Sequence, residues 1–178
     1  MTEIIAEIGW NHMGNMMIAK EMIEAAHKNG ADSVKTQVFD VKRLKPGPWD
    51  EDGRTEIYEK AQLSLEQHKE LYEYAKEIGT TYFASVCSIA DAELLKEVQD
   101  EFVKIPSMES RNLELLDYCN ENFNNVFLST GTSDVMEMVI NSQRIDREKL
   151  TLFHCVSSYP CQYENANLPR IADLKPLS

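Results

Sequence analysis

The sequence predicts an α/β fold in which parallel strands alternate with helices. Short runs of β-branched and aromatic residues, typical of buried strands, recur along the chain, and stretches with apolar residues three and four positions apart separate them. With 178 residues the chain is long enough for one core of this kind. The six predicted strands span residues 4–8, 33–39, 81–86, 102–105, 126–129 and 150–156.

Amphipathic helices are predicted between these strands. The apolar spacing indicates helices at residues 19–26, 71–78, 92–98 and 113–116 and from residue 171 onward. Ser64 and Gln67 have the spacing of a capping box, and Asn29-Gly30 and Gly79 stand where helices are expected to end. Serial units of this kind build an open doubly wound sheet or a TIM barrel. A closed barrel needs eight units, so six predict an incomplete one.

The connection after the second predicted strand is unusually long. It runs over residues 40–61, whereas such connections usually have about 2 to 6 residues. It contains Trp49, Ile57 and Tyr58, large side chains that a plain spacer does not need. We therefore predict a functional loop at this end of the sheet.

Composition and charge exclude several classes of function. The net charge of -12 and the pI near 4.8 have the wrong sign for a nucleic-acid-binding surface. No apolar run approaches the ~20 residues of a membrane-spanning helix, and no basic leader precedes the first strand, so we expect a cytoplasmic protein. The four cysteines contain no C-x-x-C pair and are expected to be reduced thiols.

Charged residues inside predicted strands point to a site. Parallel strands are buried on both faces, yet Glu7, Lys35 and Lys104 lie near the carboxyl ends of three of them. Ammonium groups together with nearby hydroxyls are a receptor for phosphate and carboxylate groups. The sequence lacks G-x-G-x-x-G, the P-loop pattern, G-x-S-x-G and H-E-x-x-H. His27 and His68 fall within helical patterns and are expected at the surface.

Five stretches, in order along the whole chain, resemble the N-acetylneuraminate (sialic acid) synthase family. They read AEIGWNHMG (6–14), GADSVKTQ (30–37), VKIPSME (103–109), LSTG (128–131) and HCVSSYP (154–160). The family has a TIM barrel followed by a small antifreeze-like domain. The resemblance thus implies that residues 1–178 form a partial barrel with about six of its eight units, without the antifreeze-like domain.

The resemblance also implies an activity and its substrates. The family condenses phosphoenolpyruvate with an N-acetylated amino sugar such as N-acetylmannosamine and releases phosphate. A divalent metal, usually manganese, binds the sugar aldehyde, and family members form homodimers. The implied residues for phosphoenolpyruvate and the adjoining pocket are Lys35, Gln37, Lys104, Ser107, Ser129, Ser157 and Tyr159.

The catalytic residues implied by the resemblance are Glu7, Lys104 and Glu109, with the two carboxylates on the side of the sugar and the metal-bound water. The family's metal-binding histidines lie beyond its HCxxxYP segment, so we expect the metal ligands outside this chain and little turnover from the chain alone. His154 is expected to be a core or rim residue. Met13, Pro106 and Ser157 replace residues more common in the family, which leaves the choice of amino sugar open.

Two alternatives stand beside this interpretation. The chain is a truncated, non-catalytic portion or subunit of such an enzyme, or it is another phosphoenolpyruvate- or Schiff-base-using barrel enzyme. In the second case Lys104 would be the covalent amine. Trapping with borohydride would separate that chemistry from the condensation.

Overall fold

Six parallel strands follow one another in the sheet in their order along the chain, as the sequence predicts. The computed structural model describes residues 2–44, 46–47 and 51–177. The strand order is open, with β1 and β6 as its terminal strands. The bounds are Ile5–Gly9 (β1), Ser33–Val38 (β2), Thr81–Val86 (β3), Phe102–Ile105 (β4), Asn125–Ser129 (β5) and Leu150–Phe153 (β6).

Helices connect the strands, and local capping explains where several of them begin and end. The Asn15 side chain accepts hydrogen bonds from two backbone N–H groups at the start of α1, and Ser64 and Gln67 form the predicted capping box of α3. Gly79 ends α3 in the left-handed conformation. Within the described ranges no helix is long and apolar enough to cross a membrane. The helices are Met16–Lys28 (α1), Arg54–Ala61 (α2), Leu65–Ile78 (α3), Ile89–Lys96 (α4), Leu113–Asn122 (α5), Val135–Ser142 (α6) and Arg170–Leu174 (α7).

The chain divides into two compact units. The first comprises Met1–Ser85 and Glu93–Gln99, and the second comprises Val86–Ala92 and Asp100–Ser178. In the first unit, α1 and α3 pack on β1 to β3 around a fully buried apolar cluster. Its members include Ile23 of α1, Val34 of β2, Leu71 and Ala75 of α3, and Tyr82 of β3.

The second unit has its own core. Val103, Ile105, Val126 and Leu128 of β4 and β5 are buried, as are Leu115, Leu116 and Cys119 of α5. On the other strand face the rings of Phe102, Phe127 and Phe153 stack with centroid distances of 5.7 and 5.1 Å. The two strand faces therefore differ: one packs apolar side chains under helices, and the other carries the phenylalanine stack.

Two predictions differ most clearly from the structure. β6 ends at Phe153, three residues before the predicted end, and the Phe153 carbonyl accepts the last hydrogen bonds of the β5–β6 pair, from the N–H and hydroxyl groups of Thr130. The long connection at residues 40–61 is not purely a loop, since it includes α2. Trp49, on which its predicted role partly depends, lies outside the described residues.

The helix α2 packs on the loop that follows β1. The Tyr58 ring contacts the rings of Trp10 and Phe39 edge-on, with centroid distances of 5.5 and 6.0 Å. Gly14 has a φ of +75°, and a side chain there would overlap the backbone carbonyl of Lys60. The absence of a side chain at residue 14 is thus what allows α2 to approach this loop.

We predict that Gly14→Ala destabilises the protein more than Gly53→Ala does. Both glycines have positive φ, but nothing lies within 4 Å of the Cβ position at Gly53. Gly53→Ala should therefore cost only about 1 kcal/mol of backbone strain, and the overlap at Gly14 should add about 2 kcal/mol. Urea unfolding of both variants measures the difference. Equal losses of unfolding free energy would mean that α2 does not pack against Gly14.

Candidate functional site

A buried ion pair joins β1 to β2 in the first unit. The strand register places Glu7 opposite Lys35, and the Lys35 ammonium lies 2.6 Å from Glu7 Oε2. The same ammonium donates to Ser85 Oγ of β3 at 2.6 Å. The Lys35 side chain is 5% exposed, whereas that of Glu7 is 53% exposed. The lysine charge is thus held inside the protein while its carboxylate partner stays accessible.

Ser85 is a site residue that the sequence analysis missed. It lies in a run of strand-forming residues, Thr81–Val86, in which a small hydroxyl is unremarkable. A serine near the carboxyl end of a strand neighbouring Lys35 is the signal that could have revealed it. Its hydroxyl remains able to donate a hydrogen bond while its oxygen accepts one from Lys35.

The second oxygen of Glu7 lies beside the turn after β1. A Cβ atom at Gly9, whose φ is +57°, would lie 3.4 Å from Glu7 Oε1, 3.8 Å from Asn11 Nδ2 and 3.9 Å from Gln37 Nε2. The structure thus brings the predicted residues Glu7, Lys35 and Gln37 together in the first unit. It adds Asn11, whose side chain is anchored by donating to the Ile8 carbonyl.

The opposite side of β2 and β3 carries a buried polar chain. The hydroxyls of Thr36 and Tyr82 lie 2.8 Å apart, and Tyr82 Oη lies 2.7 Å from His68 Nδ1. His68 is fully buried, so its predicted surface position is wrong: the apolar face of α3 packs on the sheet, and the imidazole reaches the tyrosine hydroxyl. Burial, with a smaller contribution from nearby His12, lowers the pKa of His68 to about 4.

The histidine of the loop after β1 is also buried. His12 Nδ1 accepts a hydrogen bond from the Gly14 N–H at 3.1 Å, and Met13 between them has a φ of +50°. Burial lowers the pKa of His12, although a hydrogen bond to the Gly9 backbone opposes that shift. The His12 imidazole therefore anchors the loop after β1 through its hydrogen bond with the Gly14 backbone.

A cluster of serine hydroxyls surrounds Gly131 in the second unit. A Cβ atom at Gly131 would lie 2.8 Å from Ser157 Oγ and 2.9 Å from Ser107 Oγ, so a side chain there would displace these hydroxyls. The Gly131 N–H donates to Ser107 Oγ at 3.0 Å, and the Thr132 hydroxyl donates to the Ser107 carbonyl. We call Ser107, Gly131 and Ser157, with Ser129 two residues before Gly131 in the chain, the serine cradle.

Ser129 is the last residue of β5, two positions before Gly131. It is 1% exposed, and among the described residues its Oγ has no hydrogen-bond partner. Strand alternation and the pairing of Lys104 with Phe127 place Lys104 and Ser129 on the same strand face. A buried hydroxyl without a partner is rare in proteins, and the Ser129 hydroxyl keeps its hydrogen-bonding capacity unused among the described residues.

Three other predicted residues have less defined surroundings. Glu109 is half-buried and accepts a hydrogen bond from Asn112 Nδ2 at 3.1 Å. Tyr159 is 97% exposed and precedes the cis peptide bond to Pro160, and its pocket-lining role stays a prediction. His154 is half-buried, and its Nε2 lies 2.7 Å from the Ala166 carbonyl.

The described residues do not fit the divalent metal that the family resemblance implies. Nowhere in ranges 2–44, 46–47 and 51–177 do three histidine, cysteine, aspartate or glutamate side chains form a group that could hold a metal ion. One carboxylate oxygen of Glu7 pairs with Lys35, and one of Glu109 accepts a hydrogen bond from Asn112. No chemical step is assigned to a metal here.

Comparison with known proteins identifies related chains. Residues 22–177 match the model of the NeuB family. The chain is 32% identical to N,N'-diacetyllegionaminic acid synthase of Campylobacter jejuni over 98% of its own length and 57% of that protein. It is 33% identical to N-acetylneuraminate-9-phosphate synthase of Mus musculus over 98% of its length and 52% of that protein.

A solved structure has the same fold. The N-acetylneuraminic acid (sialic acid) synthetase of Leptospira borgpetersenii, determined in complex with citrate, superimposes with a TM-score of 0.88 at 29% identity. That comparison covers 98% of this chain and 61% of the synthetase chain. The chain therefore spans little more than half the length of the relatives that it matches.

We predict that His68 makes stability depend on pH. Its folded pKa of about 4 lies below its ordinary value of 6.5, so the unfolded state binds the extra proton first. The stabilisation is complete above pH 6.5 and falls as the pH drops towards 4, by at most about 3 kcal/mol. Urea unfolding of the wild type and His68→Asn across this range isolates the effect, since other groups cancel. Parallel pH profiles would contradict the prediction.

Proposed function

This chain belongs to the NeuB family, and from that premise we propose that it binds phosphoenolpyruvate for condensation with an N-acetylated amino sugar. Relatives named as synthases of legionaminic, pseudaminic and N-acetylneuraminic acid types support the general class of reaction. The proposal covers N-acetylmannosamine or a related amino sugar as the acceptor. It also covers a cytoplasmic location, a homodimer and a divalent metal, manganese, with ligands outside the described residues.

The observation that carries the proposal is the serine cradle. Phosphate oxygens accept hydrogen bonds, and the hydroxyls of Ser107, Ser129 and Ser157 can each donate one. The close approach around Gly131 leaves no room for a side chain, and the buried Ser129 hydroxyl has no partner among the described residues. Each of these hydroxyls can donate to a different oxygen of a phosphate group.

Lys104 supplies positive charge for the proposed phosphate site. It lies on the same strand face as Ser129, and Ser107 follows it by three residues in the chain. An ammonium group next to hydroxyl donors favours a phosphate that carries more charge as it leaves. We assign Lys104 to the phosphate of phosphoenolpyruvate and assign Lys35 to the same substrate through its family motif.

The proposed condensation balances without an oxidant or reductant. The methylene carbon of phosphoenolpyruvate attacks the sugar aldehyde carbon and forms the new C–C bond, and the aldehyde oxygen takes a proton. Water then adds to the cationic carbon that bears the phosphate ester, losing a proton. Cleavage of the C–O bond to phosphate leaves a ketone and inorganic phosphate.

Glu7 is the residue that we assign to proton transfer in this sequence. Its Oε2 is held by Lys35, whereas its Oε1 faces the turn at Gly9 near Gln37, and half of the side chain is exposed. A fixed carboxylate with one accessible oxygen can accept a proton from water or a sugar hydroxyl. We assign Glu109 as the second carboxylate on the sugar side from its family motif.

The serine cradle gives a first test of the proposal. In Gly131→Ala the new Cβ pushes apart the hydroxyls of Ser107 and Ser157, without backbone strain from a positive φ. Phosphoenolpyruvate binding, measured by isothermal titration calorimetry, should weaken at least about tenfold, the value of one charge-assisted hydrogen bond. Gly30→Ala is the control: its Cβ meets nothing within 4 Å, and although its φ of +92° adds backbone strain, it lies outside the serine cradle and should bind as the wild type does. Unchanged binding in Gly131→Ala would overturn the cradle assignment.

The buried lysine gives an independent test. Lys35→Met removes the charge and keeps the side-chain length, so the fold should survive. Phosphoenolpyruvate affinity should fall about ten- to hundredfold if the ammonium contacts the substrate. Lys28→Met is the control, because the exposed Lys28 pairs with Glu24 one turn earlier on α1. Equal affinity in the Lys35 and Lys28 variants would exclude Lys35 from substrate binding.

A further inference from the structure

Two side-chain contacts tie β2 to β3, one on each face of the strand pair. Lys35 donates to Ser85 Oγ at 2.6 Å, and one residue further along β2 the Thr36 hydroxyl lies 2.8 Å from that of Tyr82. Neighbouring residues of a strand point to opposite faces, so Lys35 and Thr36 do as well. Tyr82 and Ser85 are three residues apart in β3 and also face opposite ways.

The contact on the helix-facing side is completely enclosed. Thr36 and His68 are 0% exposed and Tyr82 is 2% exposed, within the core cluster formed by α1, α3 and the strands. The Tyr82 hydroxyl lies between Thr36 Oγ1 and His68 Nδ1, at 2.8 and 2.7 Å. A buried hydroxyl with two partners is fixed in direction, because moving it away from either one leaves a polar group unsatisfied.

We propose that Tyr82, oriented by His68, is a positioning residue for Lys35. Its hydroxyl holds Thr36, and thus the β2 backbone at the next residue, against β3. This sets where the Lys35 ammonium sits between Glu7 and Ser85 on the opposite face. The inference rests on the proposed role of Lys35 in substrate binding and extends it to residues that never touch the substrate.

A physical argument connects the two faces. A strand is stiff over adjacent residues, so a displacement of Thr36 carries the Lys35 backbone with it. The two 2.6 Å contacts of the Lys35 ammonium have little tolerance for such displacement, since hydrogen bonds weaken steeply with distance and angle. Loss of the Tyr82 hydroxyl should therefore weaken binding on the far side of the strands, even in protein that remains folded.

The test compares two variants that each remove one tyrosine hydroxyl. Tyr82→Phe should weaken phosphoenolpyruvate binding about fivefold in calorimetry, the equivalent of one hydrogen bond transmitted to Lys35. Tyr74→Phe is the matched control, since Tyr74 is a half-buried tyrosine of α3 whose ring lies beneath the Lys20 ammonium of α1, away from Thr36 and Lys35. Affinity is measured well below the unfolding midpoints of both variants. If the Tyr82 hydroxyl served only stability, its loss would leave the affinity unchanged. Equal affinities in the two variants would overturn the proposal.

A rescue experiment tests the orienting role of His68. His68→Asn places an amide near the position of Nδ1 and should keep most of the wild-type affinity for phosphoenolpyruvate. His68→Leu should lose affinity as Tyr82→Phe does. If both His68 variants bind as the wild type does, His68 does not orient Tyr82 and the proposal is wrong in that part.

If the proposed function is wrong, the binding measurements show a different pattern. If the wild type and Lys35→Met both fail to bind phosphoenolpyruvate, the substrate assignment falls, and this inference falls with it. If Lys35→Met loses binding while Tyr82→Phe keeps it, only the positioning role is refuted. Unfolding measurements with Tyr82→Phe and Ser85→Ala, alone and combined, add a readout without substrate. The proposal expects non-additive losses, and strictly additive losses would contradict it.

Discussion

The ammonium of Lys35 is the constraint on which the arrangement of the first unit depends. A charge removed almost completely from water must be paired and hydrogen-bonded, or the fold pays for its desolvation. Glu7 of β1 pairs with this ammonium, and Ser85 of β3 accepts a hydrogen bond from it. The two contacts together link three neighbouring strands. The Glu7 carboxylate is half-exposed, so it stays accessible to water and to a substrate.

The general architecture could be predicted because burial leaves a clear pattern in the sequence. Parallel strands covered on both faces are short, apolar and β-branched, so the strand order and most strand boundaries agree with the structure, whereas α6 was not predicted. Boundaries set by single tertiary contacts could not be predicted. β6 ends where Thr130 takes up the Phe153 carbonyl, and α2 depends on the missing side chain at Gly14.

The site residues could be predicted only in part, for a related reason. Charged residues in buried strands stand out, and Glu7 and Lys35 do lie together. Ser85 did not stand out, since a serine in a strand carries no signal until its partner is known. His68 was assigned to the surface because helical periodicity does not distinguish a solvated histidine from one that reaches a buried tyrosine hydroxyl. Hydrogen-bond partners distant in sequence determine both cases.

The most direct measurement of the central claim is lysine-detected ¹H–¹⁵N NMR of the side-chain ammonium groups. We expect a Lys35 signal protected from rapid exchange by its bonds to Glu7 and Ser85, absent in Lys35→Met, and shifted when phosphoenolpyruvate is added. That result would establish both the buried ion pair and its role in binding. A Lys35 ammonium that exchanges like those of surface lysines, or that does not respond to phosphoenolpyruvate, would contradict the account.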